Sequence, residues 1–244
     1  MESKDIFEAY ESPYARQREA VRAEDRSTLV TKTYLNLSGA VFAFAVLEAL
    51  IFMIVGPAPI LELISTNVRV AGIVMLGICM GGPWLGTKLL GENPSRGRQY
   101  GLLCYYVAMY AIIMTPLLAL ALAALGLQVI VQAACITAAL FVALSSVVFM
   151  TRANFSGMRS FLWFASVAAL ILIVASFIFP SLVLGIWFSG AMVVLAGAYI
   201  LYDTSKLMRE ARVGDDVLCA VEIFASLMML FYYVLRILMA LNRR

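Results

Sequence analysis

Seven stretches of about twenty predominantly apolar residues follow one another along this chain, and they constrain its fold more than any other feature. A helix needs about twenty such residues to cross the hydrocarbon core of a bilayer. With 63% hydrophobic and only 14% charged residues, the chain lacks the polar shell of a soluble domain of its length. The sequence therefore predicts an all-α integral membrane protein, with transmembrane helices at about 34–55, 69–89, 101–123, 129–150, 160–179, 183–203 and 217–240.

The polar segments before and between these stretches predict the domain organisation and the orientation in the membrane. Residues 1–33 are polar and lack the apolar core of a signal peptide, so we expect an N-terminal tail followed by a single transmembrane domain, 34–244. Basic residues are frequent in the tail and in every second loop, which by the positive-inside rule predicts a cytoplasmic N-terminus. The net charge of +3 is too small to indicate a nucleic-acid partner.

Two acidic residues near the end of the chain are the main candidates for a function. An ionised group inside a bilayer costs on the order of 3 kcal/mol on insertion scales, so it needs a partner, water or a proton. Asp203 is expected to end span six, and Glu222 to lie in the first turns of span seven, with Ser226 one turn further on the same face. Since the two spans run in opposite directions, the carboxylates are predicted to meet. Spacing alone also allows Asp203 to cap a loop while Glu222 reaches headgroup water.

Such a carboxylate pair would respond to pH. Two carboxylates in a confined, poorly solvated place cannot both ionise at low cost, so they are expected to titrate as a coupled unit. They can share a proton at low pH and attract a cation when both are charged. This chemistry is typical of a pH-sensitive ion gate.

Other charged residues are placed less securely by the sequence. Glu48 lies well inside span one and is expected either to join the same polar cluster or to pair with Arg69 or Lys88. Arg236 lies deeper in span seven, on the face of that helix that carries the polar residues. Glu62 is expected in a loop.

Small residues in span two predict close helix packing. Gly77 and Gly81 are four residues apart, as are Gly82 and Gly86. Glycines at this spacing let the backbones of two membrane helices approach closely.

The sequence does not favour an enzyme. The chain has no histidine, which removes the commonest zinc ligand and the usual general base near neutral pH. No lysine lies inside the last span, which excludes a retinal Schiff base there. An intramembrane aspartyl protease would match Tyr202–Asp203, but its second motif is incomplete at Arg212–Asp215 and no Pro-Ala-Leu follows.

Two segments resemble a known family. "GAYILYDTSKL" (197–207) and "EIFASLMMLFYYVLRIL" (222–238) closely resemble the last two spans of the Bax inhibitor-1 family, the transmembrane Bax inhibitor motif proteins. The shared pattern is an aromatic residue before an aspartate and, some thirty residues later, a helix that ends like leucine-leucine-arginine; Tyr202–Asp203 and Val234–Arg236 fill these places. The resemblance implies a bacterial-type member in the inner membrane, in which two groups of three helices enclose a central seventh helix.

The resemblance also implies a function, a pH-modulated leak of cations, with Ca²⁺ or H⁺ as the ion. In the family, two aspartates on the last two helices set the open and closed states. Asp203 matches the first aspartate, Ser226 stands at the place of the second, and Glu222 is the nearest carboxylate, one turn earlier. Bacterial relatives with serine at the second place bind a membrane-anchored AAA protease. The alternative function is therefore a non-transporting membrane regulator.

Two further expectations concern the latch and the ion. The family's closed state uses a basic latch near the end of span two, for which Lys88, Arg96 and Arg98 are candidates. We expect no cofactor other than weakly bound, transient Ca²⁺ at Asp203 and Glu222, because Ca²⁺ prefers six to eight oxygen ligands.

Overall fold

The chain forms eight α-helices in the part described by the structure, a computed structural model that describes residues 13–66, 68–91, 94–179, 184–212 and 214–242. A short 3₁₀ turn, Ser156–Met158, precedes the sixth of them. The helices are α1 (Pro13–Ile54), α2 (Pro57–Thr66), α3 (Val68–Leu90), α4 (Arg96–Leu125), α5 (Leu127–Thr151), α6 (Arg159–Ile178), α7 (Ile186–Arg209) and α8 (Asp216–Asn242).

Seven of these helices, all except α2, are long and apolar enough to cross a membrane. This confirms the predicted all-α class and the seven spans. Large apolar side chains cover the outside of the bundle: Phe42 is 71% exposed, Met150 84% and Trp187 91%. Patches of this kind would be costly in water, and they are the surface that lipid chains cover.

Several helices extend beyond the apolar windows. Helix α1 begins at Pro13, well before residue 34, and α4 begins at Arg96 rather than at residue 101. The part of α1 from Pro13 overlaps the predicted tail, of which residues 1–12 lie outside the described residues. Helix α4, with 30 residues, is about 45 Å long, which matches the bilayer with its headgroup regions rather than its hydrocarbon core alone.

The short helix α2 was not predicted. Proline at its first position suits a helix start, because the missing N–H has no partner there in any helix. Glu62 therefore lies on an exposed helical turn, and its expected place in a loop is wrong. Helix α2 packs against α4.

Helix α8 lies at the centre of the bundle. In its most apolar window 72% of the residues are buried, and it packs against α1, α4, α5 and α7. Helix α4 packs against α1 and α3 in one group, and α7 packs against α5 and α6 in a second. The fold thus has the two groups of three helices around a central last helix that the family resemblance implied.

Glycines on one side of α3 allow it to approach α4. A methyl group at Gly82 would overlap Met109 Sδ, and one at Gly86 would lie 3.0 Å from the Tyr106 ring. Nothing lies within 4 Å of the corresponding positions at Gly77 and Gly81. Close packing is therefore a property of the Gly82–Gly86 pair.

Candidate functional site

The candidate site lies between α7 and α8, which pack more extensively than any other pair of described helices. Asp203 on α7 and Ser226 on α8 are both buried, at 8% and 7% exposure. The Ser226 hydroxyl donates a hydrogen bond to Asp203 Oδ2 over 2.5 Å. A hydroxyl bound to a carboxylate is normally this short. The carboxylate of Asp203 is thus held inside the protein by a side chain of the central helix.

A second contact between the same helices lies one turn away. Lys206 Nζ donates to both carboxylate oxygens of Glu222, at 2.7 and 2.8 Å. Lys206 follows Asp203 by three residues, and Glu222 precedes Ser226 by four, so the two contacts are neighbours on the helix surfaces. This ion pair is half-buried, with side-chain exposures of 33% for Lys206 and 43% for Glu222.

The predicted direct contact between Asp203 and Glu222 is therefore replaced by two separate contacts. The reason is the length of α7, which continues six residues beyond Asp203 to Arg209. The two helices run antiparallel, so the last residues of α7 face the first residues of α8. Because α7 continues past Asp203, the residue that faces Asp203 lies further along α8 than Glu222. Asp203 consequently lies opposite Ser226, and Lys206, three residues past the predicted end of span six, lies opposite Glu222.

The two contacts still form one electrostatic unit. Asp203 lies close enough to both Glu222 and Lys206 to interact with their charges. With both carboxylates ionised and the ammonium protonated, the unit carries one net negative charge. Because Asp203 is buried, its interaction with these two charges is screened less than one between fully exposed groups.

Glu48 lies apart from these hydrogen bonds. It is buried, and the Thr115 hydroxyl on α4 lies 3.2 and 3.3 Å from its carboxylate oxygens. The expected pairing with Lys88 is wrong, since Lys88 Nζ sits 3.9 Å from the centre of the Trp84 ring. The side chain of Arg69 lies outside the described residues.

Arg236 contacts a different part of the chain. Its guanidinium donates to the carbonyl of Leu184, two residues before α7, at 2.7 Å. Arg236 is ten residues beyond Ser226, or about 15 Å along the helix. It therefore ties α8 to the chain before α7, and it does not enter the Asp203 hydrogen bonds.

Of the three candidate latch residues, Arg96 makes the contact with α8. Its guanidinium lies 2.7 Å from Asp216 Oδ1, and Asn36 on α1 donates to the other oxygen of Asp216 at 3.0 Å. Asp216 is buried, whereas Arg98 is exposed. The first turn of α8 is thus joined to α1 and α4.

Three of these partners, Lys206, Thr115 and Asp216, were missed as site residues by sequence reasoning. Lys206 had a visible signal, since a lysine three residues after Asp203 shares its helix face. Asp216 is an acidic residue in the first turn of α8, a favourable place for a negative charge. Thr115 had no such signal in the sequence, because threonine is common inside membrane helices.

A metal ion at this site would compete with the hydrogen bonds between the two helices. Among the described residues, no three of the side chains of His, Cys, Asp and Glu form a cluster that could hold an ion. Both oxygens of Glu222 already accept hydrogen bonds from Lys206. A cation would have to displace that ammonium before it could use Glu222 as a ligand.

A seven-helix bundle whose central helix faces a buried aspartate defines an integral membrane protein with a polar site inside the bundle. The chain belongs to the Bax inhibitor family, because the family model described as "Inhibitor of apoptosis-promoting Bax1" matches residues 26–244. Its family is one of membrane channel-like or regulatory proteins and not a known enzyme family. No curated protein that was compared with the chain matches it.

Proposed function

We propose that this protein is a pH-modulated cation leak, with Ca²⁺ as the favoured ion, and that the conformation described here is its closed state. The observation that carries the proposal is the buried Asp203 carboxylate, which accepts a hydrogen bond from the Ser226 hydroxyl on the central helix. A carboxylate inside a membrane bundle is expensive, and such groups commonly mark ion or proton paths.

The charges of the site give the proposed gate its response to pH. With both carboxylates ionised, Asp203, Glu222 and Lys206 together carry a net charge of −1, which attracts cations. Protonation of both carboxylates leaves the Lys206 ammonium alone, a net charge of +1, which repels them. The leak is therefore expected to fall as the pH falls.

In the proposed closed state, the two contacts between α7 and α8 occupy the carboxylates that a passing ion would use. An ion that passes must displace Lys206 from Glu222 and Ser226 from Asp203. Neither group forms a multidentate oxygen cage, so binding is weak and transient, as a leak requires.

The orientation and the membrane form part of the same proposal. Basic side chains concentrate at the end of the bundle that carries the start of the first span, among them Arg26, Arg96, Arg152 and Arg209. By the positive-inside rule this end faces the cytoplasm. A bacterial inner membrane is the proposed location.

The test is Ca²⁺ flux into proteoliposomes between acidic and alkaline pH. The wild type is compared with Asp203→Asn and Glu222→Gln, and with Glu210→Gln as a matched control, since Glu210 is an exposed carboxylate just after α7. We expect flux that rises with pH in the wild type and the control, and a flattened pH profile in the two site variants. Four coincident curves would refute the gate.

A second candidate is a regulator that binds a membrane-anchored AAA protease without conducting ions. It is favoured by the contact of Asp203 with a hydroxyl and by the neutralisation of Glu222 by Lys206, which complete a stable unit without an ion. Two results together would support this function. Such a protease would co-purify with the full chain but not with a chain that lacks residues 2–12, and the flux curves of the wild type and the variants would coincide.

A further inference from the structure

A cavity of about 690 Å³ lies between α1 and the C-terminal ends of α5 and α7, and three arginines line it. Arg26 lies on α1, Arg152 directly follows α5, and Arg209 is the last residue of α7. The remaining lining is largely apolar and includes Val30, Val148, Phe149 and Met208.

The three guanidinium groups have donors to spare. Arg26 donates to the carbonyl of Met208, and Arg209 donates to the carbonyl of Arg152. Each guanidinium has five N–H groups, so one such bond leaves most of them for another acceptor. Among the side chains that the structure describes, no carboxylate forms an ion pair with any of the three. The cavity therefore concentrates positive charge and fits an anion.

The apolar lining lies deeper in the membrane than the arginines. Val30 is one turn further into its span than Arg26, and Phe149 is one turn further than Arg152. The rings of Tyr34 and Phe149 lie 5.9 Å apart and join α1 to α5 below the charged end. A ligand that fits both parts has an anionic group at the membrane surface and an apolar chain that enters the bilayer.

We propose that this cavity binds the headgroup of an anionic phospholipid, with the start of an acyl chain against the apolar lining. Arginine forks match the oxygens of a phosphate, and basic pockets between membrane helices bind anionic headgroups. Outside the cavity, Leu35 on α1 and Met150 on α5 are exposed to the bilayer, so a lipid can enter from the side. The proposal concerns a different surface from the α7–α8 site and does not depend on a leak.

The experiment measures lipid binding to the purified full chain in detergent by native mass spectrometry. Phosphatidylglycerol is compared with phosphatidylcholine of the same acyl chains, and we expect the anionic lipid to bind more tightly. Arg152→Asn is expected to weaken phosphatidylglycerol binding about fivefold, because one basic residue near a membrane surface contributes about that factor. Asparagine suits this position, where φ is 49°, since it tolerates the left-handed backbone.

Three further variants test whether the loss of binding is specific to the arginines of the cavity. Arg159→Gln removes an exposed arginine at the start of α6, outside the cavity lining, and should leave binding unchanged. Arg152→Lys should keep most of the affinity, and Arg209→Gln should lose as much as Arg152→Asn. Melting temperatures close to that of the wild type establish that the variants are folded.

Two outcomes would overturn the proposal. Equal affinity for the two lipids, or unchanged binding in both Arg152→Asn and Arg209→Gln, would show that the arginines select no headgroup. Displacement of phosphatidylglycerol by millimolar inorganic phosphate alone would identify a soluble anion as the ligand and reject the lipid.

Discussion

Lys206 sets the charge of the polar site between α7 and α8. It forms the half-buried ion pair with Glu222 and also interacts with the charge of Asp203. An ion pair with this exposure contributes at most about 1 kcal/mol to stability. Its larger effect is on the local potential, because it neutralises one of the two carboxylates and lies one helical turn from the buried Asp203.

Replacing Lys206 by glutamine is therefore expected to raise cation flux and to leave stability almost unchanged. The site would carry a net charge of −2 instead of −1 when both carboxylates are ionised. We expect flux at neutral pH to rise about fivefold, since about 1 kcal/mol of charge interaction corresponds to that factor. The measurement is Ca²⁺ flux in proteoliposomes, with Lys206→Arg as the charge-preserving control. A Lys206→Gln flux no higher than that of the control would contradict the proposed role.

The sequence identified three of the four residues of this site but paired them wrongly. Asp203, Glu222 and Ser226 stand out because polar groups are rare in apolar spans. Hydropathy could not show that α7 continues past Asp203, because Lys206 and Arg209 resemble residues of a loop. In two antiparallel helices, the residues that face each other depend on where each helix ends. Because α7 ends at Arg209 and not at Asp203, Ser226 rather than Glu222 faces Asp203.

At the scale of elements, the apolar windows predicted the seven spans but not their ends. Hydropathy detects the hydrocarbon core, whereas backbone hydrogen bonding continues through the headgroup region. Helices α1 and α4 start earlier than their windows for this reason. Helix α2 was not predicted because a Gly-Pro pair, here Gly56–Pro57, is typical of a turn or a loop.

The contact of α3 with α4 gives a prediction for which the chain contains its own control. Gly82→Leu would force the new side chain against Met109 and is expected to destabilise the protein by about 1–3 kcal/mol. Gly81→Leu makes the same change one residue earlier, where nothing lies within 4 Å, and should be neutral or slightly stabilising. Thermal unfolding in one detergent compares the two. Equal melting temperatures would contradict the packing of α3 against α4 through Gly82.

At the scale of the whole molecule, hydropathy cannot distinguish the central helix from a peripheral one. The apolar windows of α6 and α8 have mean hydropathies of 2.6 and 2.1, yet 11% of the first and 72% of the second is buried. Lipid and protein interior are about equally apolar, so composition does not say which of them surrounds a helix. The central position of α8 was instead implied by the family resemblance of its sequence.

The attachment of this central helix to the surrounding bundle gives the last prediction. Arg96 on α4 and Asn36 on α1 hold the Asp216 carboxylate at the first turn of α8, six residues before Glu222. Arg96→Gln leaves a buried carboxylate with one partner fewer, and the expected loss of stability is about 1–3 kcal/mol. If α8 must move for the pathway to open, the same variant should also raise cation flux at neutral pH.

Arg98→Gln is the matched control for this variant, because Arg98 lies two residues away on α4, is exposed and carries the same charge. It should leave both melting temperature and flux at the wild-type values. A lower melting temperature with unchanged flux in Arg96→Gln would restrict the Arg96–Asp216 pair to a structural role. Changes of equal size in Arg96→Gln and Arg98→Gln would show that surface charge, rather than the link between α4 and α8, is responsible.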